Sequence, residues 1–313
     1  MRALHLNFWL HHPYKLHEKS QWTKGYFGGE AEFARVNREE YQPLLALIER
    51  NSQRYPKLRL SLVVSGMWLE QAERWDVELI RRIRKLVEAK NVELVASPYY
   101  QAMAAFYNLE EPKAQIELTQ EKYEHSFGVK SEVLALPELC FHGKMARLVE
   151  EAGFRAVIVG DARENLGWRS VNYLYELKQG NGLRVMCQNR IFGEMIERAN
   201  SGATVEVAER IEIDLPDADL KMDDVSGAEA FARSMGVGNE ISTDRSERVR
   251  TRKVFAAKKF QKELDLAFLR GNLVNLCFKP DIFEKWREFG VDSKMVENFV
   301  NLPKCFFLLN SAM

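Results

Sequence analysis

The feature that most constrains the fold is the alternation of short apolar runs with amphipathic segments in the first half of the chain. The apolar runs are almost uninterrupted, which is typical of parallel strands that are buried on both faces. The segments between them carry apolar residues at helical spacing, as Leu79, Ile80, Ile83 and Leu86 illustrate. This order of strand, helix and strand predicts an α/β architecture with a parallel sheet.

Six strands and four helices follow from this pattern. No G-x-G-x-x-G motif follows any of the strands, which favours a barrel over a dinucleotide-binding sheet. The expected strands are Ala3–Leu10, Leu58–Gly66, Val92–Ser97, Glu132–Leu136, Arg155–Val159 and Leu183–Cys187. The expected helices are Glu39–Arg54, Leu69–Ala89, Pro112–Phe127 and Gly143–Ala152.

The second half of the chain has a different character. Residues 1–200 are predicted to form the barrel domain. Residues 201–245 are rich in Asp, Glu, Gly and Ser with weak periodicity, which predicts an irregular connecting region. Residues 246–313 regain helical spacing, with Phe260, Leu264 and Phe268 as examples, and predict a helical C-terminal subdomain.

Composition narrows the range of partners. Lys and Arg total 45 and Asp and Glu total 45, so the cationic excess expected of a nucleic-acid-binding surface is absent. The sequence has neither a run of basic residues nor an apolar stretch of membrane-spanning length, so no membrane partner is expected. The four cysteines are scattered without a C-x-x-C pair, which predicts incidental thiols in a cytoplasmic protein. The sequence does not indicate an oligomeric state, whether monomer or larger.

Polar and aromatic residues follow the expected strands. In a parallel barrel, active-site residues lie on the loops that follow the carboxyl ends of the strands. His11 and His12 follow the first strand, and adjacent residues point to opposite sides of extended backbone. The pair is therefore either one buried and one exposed histidine, or a site where an imidazole binds a polar substrate.

The second and third strands are followed by further candidates. Tyr99, Tyr100 and Gln101 could stack on sugar rings and hydrogen-bond their hydroxyls, or the tyrosines could cap the end of the barrel. Trp68 and Glu70 after the second strand allow the same two interpretations.

Glu138 lies between the fourth strand and the next helix. It could act as a nucleophile or general acid, or it could be a helix-start carboxylate that the helix dipole favours. Spacing alone favours the helix-start role. Metal-binding patterns such as H-E-x-x-H are absent, as is the G-x-S-x-G motif of serine hydrolases, so no metal or cofactor is predicted.

Several of these segments together resemble a known family. FWLHHPYKL, VELVASPYYQAM, ALPELCFHGKMARLVEEAGFRAVIVGD and LGWRSVNYLY resemble, in that order, the N-terminal domain of glycoside hydrolase family 57, the α-amylase-like and 4-α-glucanotransferase family. LPKCFFLLNSAM is similar to the family's terminal segment. The resemblance implies an irregular (β/α)7-type barrel followed by a helical part. It also implies Glu138 as nucleophile and Trp168 near the sugar-binding surface.

The departures from the family pattern affect the expected chemistry. His12 replaces a glutamine and Gln101 replaces a histidine of the family motifs. The family's acid/base aspartate lies in a segment like MDYETFGEH, on the strand after the one that ends near residue 188, and that segment has no match here. The sequence therefore predicts a barrel that is incomplete where its sixth and seventh strands should be. Asp161 and Asp214 do not match the motif and are not assigned its role.

Two hypotheses follow from these observations. The protein is either a retaining α-glucan hydrolase or 4-α-glucanotransferase that acts through Glu138, or a catalytically impaired relative that binds oligosaccharide or acts as an interaction protein. Both predict an α-glucan or oligosaccharide ligand and no metal. The predicted site comprises Glu138 as nucleophile and, as substrate-binding residues, His11, His12, Tyr14, Trp68, Tyr99, Tyr100, Gln101 and Trp168.

Overall fold

A computed structural model describes residues 3–16, 27–55, 58–161, 166–177, 182–194, 264–279 and 306–307 of the chain. Eleven strands lie within these ranges. They are β1 Ala3–Leu10, β2 Lys15–Leu16, β3 Phe27–Gly28, β4 Leu60–Val64, β5 Val92–Val95, β6 Val133–Ala135, β7 Ala156–Val159, β8 Leu174–Glu176, β9 Arg184–Cys187, β10 Leu273–Phe278 and β11 Phe306–Phe307.

Seven of these strands run parallel around a barrel wall. One arc has the order β10-β1-β4-β5, and the other has the order β6-β7-β9 with β8 added antiparallel at its edge. A parallel bridge between Ala96 and Leu134 joins β5 to β6. On the other side, the Asn189 N–H donates to the Asn275 carbonyl of β10 at 2.9 Å. The chain thus forms the irregular (β/α)7-type barrel that the sequence predicted.

Helices cover the outside of the barrel. Two of them begin at side-chain caps: Ser65 accepts from the Trp68 N–H at 3.3 Å, and Asp76 accepts from the Glu78 N–H at 3.2 Å. The helices are α1 Glu30–Val36, α2 Gln42–Arg54, α3 Gly66–Trp75, α4 Val77–Glu88, α5 Glu110–Phe127 and α6 Lys144–Glu151, with a π-helical turn at Asn37–Tyr41, short 3-10 turns at Met103–Phe106 and Pro137–Leu139, and a helical stretch at 264–269.

Apolar side chains form two layers. The layer between strands and helices includes Leu62, Leu94 and Val157 from the strands and Leu79 and Ile83 from α4. A second cluster contains strand residues, one short-turn leucine and no residue of α1–α6, so it fills the barrel interior. Its buried members are Ala3, Val63, Val95, Val133, Ala135, Leu139, Ala156, Ile158, Met186 and Leu273.

Part of the barrel interior is polar. Asn7 of β1 donates to the Asn275 side-chain oxygen of β10 at 2.8 Å and to the Leu276 carbonyl at 3.0 Å. Both asparagines are buried, and these bonds offset part of the cost of removing their amides from water, while the Asn275 amide nitrogen makes no hydrogen bond among the described residues. The interior wall formed by β1 and β10 is therefore partly polar.

The structure corrects one expectation about an element. The helix expected at Leu69–Ala89 is two helices, because Asp76 has φ −156° and ψ 80° and ends α3 while it caps α4. β9 and β10 lie at the sixth and seventh barrel positions but belong to different sheets, in agreement with the irregular, incomplete barrel that was expected.

The expected division at residues 200 and 245 stays a prediction, because most of the chain after 194 lies outside the described residues. Within 246–313, however, β10 pairs with β1 from Ala3↔Leu273 to Phe8↔Phe278. This strand is part of the barrel.

Candidate active site

The carboxyl ends of the strands bring several predicted residues to one end of the barrel. His11 follows β1, and its Nδ1 lies 2.9 Å from the hydroxyl of Ser65, the residue that follows β4. Because the Ser65 hydroxyl also caps α3, it fixes the imidazole relative to that helix. His11 is half-buried, and burial, reinforced by the positive charges of His12 and Lys279, lowers its pKa.

His12 points into the protein rather than towards the same space. Its ring packs edge-on against Phe33 at 5.4 Å between centroids, and its Nδ1 lies 3.4 Å from the Tyr41 hydroxyl. Burial lowers the pKa of His12, and the nearby Glu32 carboxylate opposes that effect. The histidine pair therefore contains one buried residue and one half-buried residue near the barrel end.

Trp68 lies in the core. Its side chain has no exposed surface, and its ring centroid is 5.5 Å from that of Tyr41 and 6.5 Å from that of Phe33. This position favours a packing role for Trp68 over direct contact with a ligand.

Glu70, one helical turn along α3, links two of the predicted tyrosines. The Tyr14 hydroxyl donates to Glu70 Oε2 at 3.1 Å, and the Tyr99 hydroxyl donates to Oε1 at 2.8 Å. Burial and the Glu70 carboxylate raise the pKa of Tyr14 to about 12 and raise the pKa of Tyr99 as well, so both hydroxyls keep their protons near neutral pH. Tyr100 packs at 4.9 Å from Tyr99 in a T-shaped pair and is 49% exposed.

A close approach between backbone and ring holds Tyr99 in place. A Cβ at Gly66 would lie 2.3 Å from the Tyr99 ring, so only glycine fits at this start of α3. Gln101, two residues after Tyr99, has a left-handed backbone with φ 56°, and its side-chain amide donates to the Ser97 hydroxyl at 2.5 Å. Gln101 thus braces the loop after β5.

Glu138 follows β6 in an unusual backbone conformation. Glu138 and Leu139 both have positive φ values, 51° and 55°. Successive non-glycine residues in the left-handed region are costly and occur mainly where the surrounding structure enforces them, often at functional sites. The Leu139 carbonyl accepts from the Gly160 N–H after β7 at 2.9 Å, which fixes this turn, and the Glu138 side chain is exposed.

Two other candidates lie after β7. Asp161 is mostly buried, and its carboxylate lies 3.8 Å from Arg190 Nε. Trp168 is 89% exposed, with the Arg169 guanidinium 5.1 Å from its ring centroid. Asp214 lies outside the described residues.

Lys279, which sequence reasoning missed, follows the seventh barrel strand, β10. It is exposed, and its charge acts on His11 after the neighbouring β1. The resemblance implies the acid/base aspartate on the strand after the one that ends near residue 188, and β10 is the next described strand along the chain after β9. The only sequence signal for this strand was the short run LVNLCF. That signal is weak because an asparagine and a cysteine interrupt its apolar residues.

Among the described residues, no group of three or more His, Cys, Asp or Glu side chains could hold a metal ion. No helix in the same part of the chain is long and apolar enough to cross a membrane.

The family assignment rests on a match across most of the sequence. The model of glycosyl hydrolase family 57 matches residues 6–301. The chain belongs to glycosyl hydrolase family 57.

Among relatives of this family 57 chain, a putative alpha-amylase from Methanocaldococcus jannaschii is 27% identical over 193 residues, which cover 58% of this chain and 40% of the relative. A solved 4-alpha-glucanotransferase from Thermococcus litoralis has a TM-score of 0.63 at 16% identity and covers 99% of this chain and 40% of its own. A solved family 57 branching enzyme from Pyrococcus horikoshii has a TM-score of 0.68 at 17% identity, with coverages of 99% and 69%.

At 16% and 17% identity, the solved structures show only that the fold is shared, and their fold agrees with the barrel described above. The chain spans less than half the length of the curated relatives that it matches.

Proposed function

We propose that this family 57 protein acts on an α-glucan at the carboxyl end of its barrel, with Glu138 as the nucleophile of a double displacement. The observation that carries the proposal is the position of Glu138. It follows a barrel strand, its side chain is exposed, and its left-handed backbone is fixed by the hydrogen bond between Gly160 and Leu139.

The proposed chemistry has two steps. The Glu138 carboxylate attacks the anomeric carbon, the bond to the leaving oxygen breaks as that oxygen takes up a proton, and a glycosyl ester forms on Glu138. Water or the hydroxyl of a second sugar then attacks the same carbon, gives up a proton and releases the Glu138 carboxylate. Water gives hydrolysis, and a sugar hydroxyl gives transfer.

The test uses maltoheptaose and the full chain. Chromatography of the products should show shorter or redistributed chains, and Glu138→Gln should lower the rate at least about 10³-fold, since an amide cannot form the ester. Glu132→Gln is the matched control, because Glu132 precedes the same strand at the opposite end of the barrel and pairs with Arg155 at 3.0 Å. An active Glu138→Gln variant would refute the proposed nucleophile.

A second candidate function is oligosaccharide binding without turnover. The observation that favours it is Lys279 after β10, since the first step requires a proton donor for the leaving oxygen and a retaining site uses two carboxyl groups about 5–5.5 Å apart. This candidate predicts that maltoheptaose raises the melting temperature while no product appears. The cytoplasmic location and the absence of nucleic-acid and membrane partners, expected from composition, stay predictions.

A further inference from the structure

One carboxylate near the barrel end binds side chains from two separate strand ends. Glu70 lies on α3, Tyr14 follows β1, and Tyr99 follows β5. Each oxygen of the carboxylate accepts one tyrosine hydroxyl, at 3.1 Å and 2.8 Å. We propose that Glu70 is a positioning residue that orients both tyrosine hydroxyls so that their oxygens accept hydrogen bonds from the hydroxyl groups of a bound sugar.

The direction of these hydrogen bonds follows from the chemistry of the groups. An ionised carboxylate only accepts, and a phenol has one proton to donate. When that proton points to Glu70, the phenol oxygen can only accept from a further partner. A sugar with several adjacent hydroxyl groups offers donors that match two such oxygens.

The surrounding structure keeps this arrangement rigid. Gly66 allows the Tyr99 ring to pack directly on the start of α3, and the Tyr99 N–H donates to the Gln115 carbonyl at 3.3 Å. The Tyr100 N–H donates to the Gln115 side-chain oxygen at 3.1 Å, and the half-exposed Tyr100 ring offers an apolar face beside the hydroxyls. The raised pKa of Tyr14, about 12, means that its hydroxyl remains a donor to Glu70 across the neutral range.

The sugar assignment rests on the proposed function, and the experiment separates the two. Calorimetric titration of maltoheptaose into the full chain compares the wild type with Glu70→Gln. The glutamine keeps the shape of the side chain, but its amide nitrogen must donate, so one tyrosine reverses its hydrogen bond. We expect binding about three- to ten-fold weaker, the usual effect of one neutral hydrogen bond. Glu117→Gln, an exposed carboxylate on α5, is the control and should bind as the wild type does.

A double-variant cycle distinguishes positioning from a general structural effect. Tyr14→Phe should weaken binding on its own, and combining it with Glu70→Gln should weaken binding by less than the product of the two separate effects. Effects that simply multiply would overturn the positioning role. If Glu70→Gln binds maltoheptaose as tightly as the wild type does, this inference alone is overturned. If the wild type binds no maltoheptaose, the proposed function is overturned together with it.

Discussion

At the scale of single residues, the buried His12 makes the stability of the folded protein depend on pH. Its buried imidazole contacts Phe33 and Tyr41, and burial lowers its pKa below the ordinary value of about 6.5. Glu32 opposes this shift, while Lys15 and Arg35 add to it. The net effect is that the folded protein prefers the neutral ring more strongly than the unfolded chain does.

This preference predicts a loss of stability in mild acid. Above about pH 6.5 the ring is neutral in both states, whereas below that value the unfolded chain takes up the proton first, so the free energy of unfolding falls. Each pKa unit between the states corresponds to about 1.4 kcal/mol. His12→Gln should therefore lose less stability between pH 7 and pH 5 in urea-unfolding measurements. His125→Gln, an exposed histidine of α5, should keep the wild-type pH dependence, and an unchanged slope in His12→Gln would contradict the prediction.

Individual side chains also show what the sequence could not resolve. The spacing of HHPY left two interpretations open, and only packing showed that His12 faces the core while His11 bonds Ser65. Sequence reasoning left two interpretations open for Glu70 because its role depends on contacts with tyrosines 29 or more residues away. It missed Lys279, whose charge acts on His11 at the opposite end of the sequence.

At the scale of elements, Asp76 divides one expected helix into two. Its carboxylate accepts from the Glu78 N–H at 3.2 Å, from Asn37 at 2.6 Å and from Gln42 at 3.0 Å. The side chain therefore caps α4 and ties it to the π-helical turn before α2. Helical periodicity could not reveal this break, because apolar residues continue at compatible spacing on both sides of it.

We expect Asp76→Ala to lower the free energy of unfolding by about 1–2 kcal/mol, since it removes the cap and leaves two amide groups without their acceptor. Urea unfolding followed by circular dichroism provides the measurement. Asp76→Asn retains a capping oxygen and should restore most of the loss. Glu78→Ala, which removes an exposed pair with Arg81 at 3.3 Å, should change stability by no more than about 0.5 kcal/mol. Equal losses in Asp76→Ala and Glu78→Ala would argue against the capping role.

At the scale of the whole molecule, one barrel strand, β10, is distant in sequence from its neighbour β1. Six strands were predictable because their apolar runs are nearly continuous, whereas β10 was hidden by Asn275 and Cys277. The buried Asn275 side-chain oxygen is satisfied by Asn7 of the neighbouring strand β1, which donates to it at 2.8 Å. That partner is 268 residues away, so no local pattern could have indicated the pairing.

The pairing of β10 with β1 brings Lys279 to the barrel end where His11 lies, and this position allows the two candidate functions to be separated. If Glu138 is the nucleophile and the missing group is a proton donor, Lys279→Asp should raise maltoheptaose turnover by about 10²–10⁴-fold, the usual contribution of general acid catalysis. Lys85→Asp makes the same charge change on the outer face of α4 and should have no effect. Adding Glu138→Gln to Lys279→Asp should remove the gain, because a proton donor speeds the reaction only when Glu138 can attack the anomeric carbon. A gain that survives this second change would show that Lys279→Asp acts through another group, and the absence of any gain would show that a carboxylate after β10 does not complete the site.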